Sequence, residues 1–239
     1  AEQNDKFDYR LQLADLRYAR RLEPANTKAI WLESILLQQM GKYAQSLALS
    51  RQAVEITKDP EFGLTYAESL LANEQYQQAI DQARLIAADQ DLPPLLRARA
   101  EIVLGNATAS SPLRNFERAI EHHLLAIRLA SQLEANPEIS LRREALRILV
   151  QAHLACALDV ARGNWQRKSD VAPKWLASAR EISVRFLQET HGSPLIELQI
   201  HATTLAVAAE LDGLLDPMTS LQQMSGRCQT VLNQFDDAL

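Results

Sequence analysis

Residues 29–60 read AIWLESILLQQMGKYAQSLALSRQAVEITKDP. Apolar side chains recur three and four positions apart on either side of Gly41, the spacing of a helix that buries one face. Glycine adopts the positive φ that ends a helix at little cost, and Asp59 followed by Pro60 is a capping residue followed by a first helical position. The stretch therefore reads as two amphipathic helices of about four turns each. A diluted version follows it, and longer helices run toward the end of the chain.

Composition supports a helical chain throughout. The 239 residues are 47% hydrophobic, 23% charged and only 5% aromatic. Ala and Leu dominate, both good helix formers, and Ala lets helices approach closely. β-branched residues never alternate over a run, so no strand is expected. A compact chain of this length buries roughly 70–75% of the surface it exposes when unfolded, and a row of stacked helices somewhat less. The net charge of −5 argues against a polyanion as the main partner, because nucleic-acid affinity comes mainly from neutralised phosphates. Cys156 and Cys228 lie far apart without metal-ligand spacing, which fits free buried thiols and leaves a disulfide open. The longest apolar stretch, 195–215, contains Glu197, His201, Glu210 and Asp212, so it reads as a buried helix and not a membrane span. A cytoplasmic location is slightly favoured. A targeting or anchor segment would lie outside this chain, which opens at Ala1.

Proline and glycine mark the helix limits. Each of the nine prolines falls where a helix start is expected, and Asp59-Pro60, Ser111-Pro112, Asn136-Pro137, Ser193-Pro194 and Asp216-Pro217 pair a capping residue with proline. Gly41, Gly105, Gly163, Gly192 and Gly213 are read as helix ends, and Gly63 and Gly226 as sites of close backbone approach. Cutting at these marks predicts about eleven helices: Asp5–Leu22, Asn26–Met40, Lys42–Thr57, Pro60–Asn73, Gln75–Ala88, Leu92–Ala107, Pro112–Glu134, Pro137–Arg162, Val171–Thr190, Pro194–Asp212 and Pro217–Phe235. Short connections make consecutive helices antiparallel neighbours. The exception is Gly163–Ala172, GNWQRKSDVA, which reads as a polar, basic loop. With no linker in sight, residues 1–239 are read as a single domain: near-regular repeats over 1–135, and longer, divergent helix pairs over 136–239.

The repeat itself is visible. Tyr43-x-x-Ser46-Leu47 matches Tyr76-x-x-Ala79-Ile80 at an offset of 33, and Phe116-x-x-Ala119-Ile120 follows after a somewhat longer interval. Ile30-x-x-Glu33-Ser34-x-x-Leu37, Gly63-x-x-Tyr66-Ala67-x-x-Leu70 and Leu96-x-x-Arg99-Ala100-x-x-Val103 align in turn, with small residues at 34, 67 and 100. Residues 9–24 look like the second helix of a preceding unit, with Leu16, Ala19, Leu22 and Pro24 in order. Over roughly residues 9–130 the chain resembles the tetratricopeptide repeat (TPR) family, whose unit is a helix pair of about 34 residues. Beyond that the period is lost: after Phe116 the next comparable site is not met until Trp175-x-x-Ser178. The resemblance implies an all-α fold, a right-handed superhelix of antiparallel helix pairs (a TPR-like α-solenoid). The alternative is an irregular helical bundle.

In that family the first helix of each pair lines a concave groove. The resemblance implies a groove of Trp31, Leu32, Ile35 and Gln39, then Thr65 and Glu68, then Arg97 and Glu101, suited to a peptide with an apolar anchor and a basic group. Trp31 and Ile35 are equally readable as core residues under the N-terminal helix, and Glu68 as part of a solvated face. Members that clamp a C-terminal carboxylate use Lys and Asn in the groove. Glu68 and Glu101 would repel such a ligand. Elsewhere, Arg142, Arg143, Arg147, Arg162, Arg167 and Lys168 form a candidate basic patch beside Trp165, either an anion or RNA contact or a solvated face with Trp165 tucked over a helix end.

No phosphate loop, nucleophile elbow or paired-histidine metal motif occurs. His122 and His123 are adjacent, so on a helix they diverge by about 100° and cannot share a metal. The expectation is a non-enzymatic scaffold for protein–protein interaction that needs no cofactor or metal. Its partner would be a protein or peptide rather than nucleic acid, and its open solenoid ends would also offer a surface for self-association. The competing expectation is a regulatory or sensor module of a larger protein whose long-helix half binds a small molecule or anion.

Overall fold

The computed structural model of the chain describes residues 9–190 and 194–211. These form ten helices and no strand: α1 (Tyr9–Leu22), α2 (Thr27–Gln39), α3 (Tyr43–Ile56), α4 (Pro60–Ala72), α5 (Tyr76–Ala88), α6 (Pro94–Ser110), α7 (Phe116–Ser131), α8 (Ile139–Arg162), α9 (Lys168–Thr190) and α10 (Pro194–Glu210). The expected helix at Pro217–Phe235 lies outside the described residues. Consecutive helices pack on each other through short connections within two compact units, one ending at Asn115 and the other beginning at Phe116. The sequence reading placed one domain here with its change of character near residue 135. The third pair it drew, α6 with α7, is divided between the units.

In the unit ending at Asn115 the offset of 33 is written into the backbone. Asn26 and Asp59 stand at equivalent positions. Asn26 Oδ1 accepts from the Ala29 amide at 3.0 Å, and Asp59 Oδ1 from the Glu61 amide at 2.9 Å, each satisfying an orphan donor of a first helical turn. The joints inside the pairs match as well. The Lys42 amide donates to the Leu37 carbonyl at 2.8 Å, and the Gln75 amide to Leu70 at 2.9 Å. The residue that turns the corner is left-handed in both, Gly41 at φ 71° and Glu74 at φ 60°. The first is the residue the turn favours; the second is held there by the same hydrogen bonds without glycine's freedom.

Small side chains set the spacing of the helices. Ser34, Ala67 and Ala100 recur at the offset and are fully buried, as are Ser46 with Ala79 and Ser50 with Ala83. Where serine replaces alanine its hydroxyl is satisfied nearby: Ser34 donates to the Trp31 carbonyl, Ser50 to the Leu47 carbonyl, and Ser46 lies 3.1 Å from Ser69 Oγ. Gly63 marks a close approach of α5, since a Cβ there would stand 3.1 Å from Gln82 Nε2. Around these contacts Leu64, Leu70, Ile86, Leu96 and Val103 form a continuous core across α4, α5 and α6. Full burial of one such side chain is worth about 1.5–3 kcal/mol. α4 packs on both α2 and α6, so the first helices stand in one row with α3 and α5 behind them. α1 closes the end of the row through Leu13 against Leu36 and Leu37.

The unit beginning at Phe116 is built on α8, which packs against α7, α9 and α10. Ala145, Ala152, Ala157 and Ala161 are completely buried along it, together with Leu146, Ile148, Leu149 and Leu154. A helix of 24 residues buried on several sides carries its apolar residues on more than one stripe, which is why the repeat period fades. Three punctuation marks act differently from expectation. Gly105 lies inside α6, which continues to Ser110. Pro112 does not open α7; the chain first turns through Arg114 at φ 42°, and the helix begins at Phe116. Pro173 lies inside α9. The turn ahead of it forms on the Arg167 carbonyl, which accepts from Asp170 and Val171, and the polar loop shrinks to 163–167. Among the described residues no helix is long and apolar enough to cross a membrane.

Candidate functional site

The expected groove residues lie on the row α2, α4 and α6. Trp31 is half-buried, and α4 holds it. Its indole Nε1 donates to Thr65 Oγ1 at 2.8 Å, and its ring stacks on Phe62 with centroids 4.9 Å apart and planes 24° from parallel. One contact fixes the edge and the other the face, so the ring has a set orientation. Leu32 is exposed beside it, Ile35 is half-buried and Gln39 is exposed. Thr65 is buried, with its own hydroxyl donating to the Glu61 carbonyl. Besides Leu36 and Leu37, α1 covers Glu33 of α2, buried and gripped by Arg17 and Arg20.

The next two helices are tied by charge. Arg99 of α6 reaches Glu61 at 3.2 Å and Glu68 at 3.0 Å on α4. Glu68 therefore faces an internal cation before any ligand arrives. Arg97 is half-buried, with Nε 3.4 Å from the Ala87 carbonyl, and Glu101 is buried. Phe62, Glu61 and Arg99 were not among the expected site residues. A signal for Arg99 was present: Glu33, Tyr66 and Arg99 share one position of the repeat, just before the small residue. At two of the three, a charged side chain pairs with an earlier helix: Glu33 with α1 and Arg99 with α4.

No protein-family model matches the chain, and no curated protein matches it. Among solved structures it is similar to a MamA RS-1 ArsTM double mutant, at 19% sequence identity over 72% of this chain and 84% of that one, with a TM-score of 0.49. That likeness is too slight to speak to partner or mechanism. The helical-repeat architecture rests on the helices and joints themselves.

The six cations of the expected basic patch separate along α8. Arg142 and Arg162 are twenty positions apart on one helix, or about 30 Å. Each cation with a described contact is engaged within its own surroundings. Arg142 donates to the Asn136 carbonyl, Arg147 pairs with Glu144 and Arg162 with Glu210 at 3.0 Å. Arg167 pairs with Asp170 at 3.2 Å, and Lys168 donates to the Ala161 carbonyl at 3.1 Å. Arg143 is exposed and interacts as well.

His122 and His123 diverge as adjacent helical residues must. His123 is fully buried with Nδ1 3.0 Å from Asp159 Oδ2, while His122 is half-buried. Cys156, one turn before Asp159, is a free buried thiol, its pKa pushed up to about 12 by burial and then by the Asp159 carboxylate. A thiol so placed stays protonated and is a poor nucleophile. Among the described residues no group of three or more His, Cys, Asp and Glu side chains could hold a metal ion.

Proposed function

We propose that this chain is a non-enzymatic helical-repeat scaffold that takes a peptide or protein segment along the row α2, α4 and α6. The observation that carries the reading is the fixed indole of Trp31, stacked on Phe62 and hydrogen-bonded to Thr65, with exposed Leu32 alongside. A ring held at its edge and face costs little entropy to dock against, which is how aromatic anchors act in interfaces. Farther along the row Glu61 and Glu68 oppose Arg99. A basic group on the ligand suits the two carboxylates, provided it shares them with Arg99 or displaces it.

Peptides selected from a displayed library against the folded chain test this reading. They should pair an apolar anchor with a Lys or Arg. Trp31→Ala should weaken them at least tenfold, and Glu68→Lys should abolish the preference for the basic residue, both with helical circular dichroism intact. Unchanged binding by both variants overturns the reading. The second reading, a module that binds a small molecule with its long-helix half, is favoured by one observation, a cleft beside α8.

A further inference from the structure

The cleft lies wholly within the unit beginning at Phe116. It measures about 780 Å³, within the range of sites that take organic ligands. Val160 lines it from α8, Glu117 and Glu121 from α7, and Trp165 and Trp175 from the loop and α9. Two of its walls are aromatic and each is braced. Trp165 lies directly on Gly163, so close that a Cβ there would fall 1.5 Å from ring carbon Cζ3. Trp175 meets the His153 ring edge-on at 5.3 Å, and His153 in turn holds Nδ1 2.7 Å from the Leu149 carbonyl.

The charges around the cleft decide what it would take. Arg167 and Lys168 line it too, but Arg167 is paired with Asp170 and Lys168 occupies the Ala161 carbonyl at the end of α8. Glu117 and Glu121 stand one turn apart on α7 and pair with no cation among the described residues. The helix ends nearby are compensated: Glu117 and Asp170 sit in the first turns of α7 and α9, and Lys168 serves the last turn of α8. What remains is two exposed carboxylates, without a cation partner among the described residues, on the same cleft as two tryptophan rings. Carboxylates attract a positive charge from one side, and the negative faces of indoles attract it from the other.

We propose that this cleft binds an organic cation, the arginine or lysine side chain of a partner peptide, between Trp165, Trp175 and the Glu117–Glu121 pair. Indoles suit the hydrocarbon stem and the carboxylates the charged head. Gly163 is a positioning residue, since only a residue without a Cβ leaves room for the Trp165 ring where it lies.

The test uses the whole chain carrying Trp31→Phe, so that indole fluorescence reports only on Trp165 and Trp175. The probes are N-acetylated, C-amidated Gly-Arg-Gly, the same peptide with citrulline, and Gly-Glu-Gly. The arginine peptide should change the fluorescence saturably and bind at least tenfold more tightly than the citrulline peptide. Glu117→Gln with Glu121→Gln should remove that preference, and Gly163→Ala should weaken binding by displacing Trp165. Equal binding of arginine and citrulline peptides, tighter binding of the glutamate peptide, or an arginine preference that survives the double Gln variant each overturns the proposal.

Discussion

The two units place their aromatic and ionisable links differently. Up to Asn115, helices of 13 to 17 residues meet through small side chains. The links that tie their row together lie at half-exposed edges: Trp31 to Thr65, and Arg99 to Glu61 and Glu68. From Phe116 on, helices of 16 to 24 residues enclose such groups outright, with His123, Asp159 and Cys156 sealed between α7 and α8. Short repeated helices keep the Arg99 links near water, where a changed side chain is cheaply resolvated, and bury Glu33 only at the α1 end. Long helices that are buried on several sides leave a polar group no such escape.

The largest test of this contrast is in the cores. Leu64→Ala in α4 and Leu149→Ala in α8 each create a cavity at a side chain 1% exposed or less. Each should cost about 2–5 kcal/mol, read by urea unfolding, with the smaller value wherever neighbours collapse more readily. If the short-helix unit is the more yielding, Leu64→Ala is the cheaper; the reverse order breaks the comparison.

Asp159→Ala should follow, at about 1–3 kcal/mol, because it strips the carboxylate from beside a fully buried His123. Labelling of Cys156 by an alkylating agent, in a Cys228→Ser background, should speed up with it. An unchanged labelling rate would show that the pair does not hold this unit shut.

At the repeat joints the expected effect is smaller and of opposite sign in the two places. Glu74→Gly relieves a left-handed residue with a side chain and should stabilise by about 0.5–1 kcal/mol, whereas Gly41→Ala should destabilise by a similar amount. If both changes move stability the same way, the two joints are not equivalent.

The smallest effect is a pH dependence from His153. Burial, the largest influence, lowers its pKa from 6.5, against the opposing pull of the Leu149 carbonyl and Glu134. The unfolded chain then binds the proton first, so this contribution to stability is complete above about 6.5. It declines as pH falls from there toward the folded-state value. The urea midpoint should fall between about pH 7.5 and 5.5, and by less in His153→Gln. An equal fall in both would assign the dependence to other groups.

Much of the first unit was legible in the sequence because its signals are local. Asn26 and Asp59 cap helices, Gly41 turns one, and the small residues at 34, 67 and 100 repeat at a fixed interval. The second unit offered fewer such marks. Pro173 reads as a helix start, yet the turn before it forms on the Arg167 carbonyl, a backbone contact that residue types do not announce. The candidate surfaces were less legible still. Trp31 is visible as a lone aromatic, but Phe62 and Arg99 meet their partners across 31 to 38 positions, beyond any local pattern. The basic character of the 163–168 segment was plain from composition. That its charges are already answered, and that the opposing α7 wall is acidic, depends on packing alone.

Met40-Gly41-Lys42 and Asn73-Glu74-Gln75 have no residue in common, yet the amides and carbonyls around them meet in the same pattern. The corner is thus a fitting of fixed gauge, indifferent to what hangs from it. A duplicate of residues 41–73 spliced in after Asn73 would present the same ends to the same sockets. The row should lengthen by one helix pair, making the number of pairs a dimension that can be set by cut and paste.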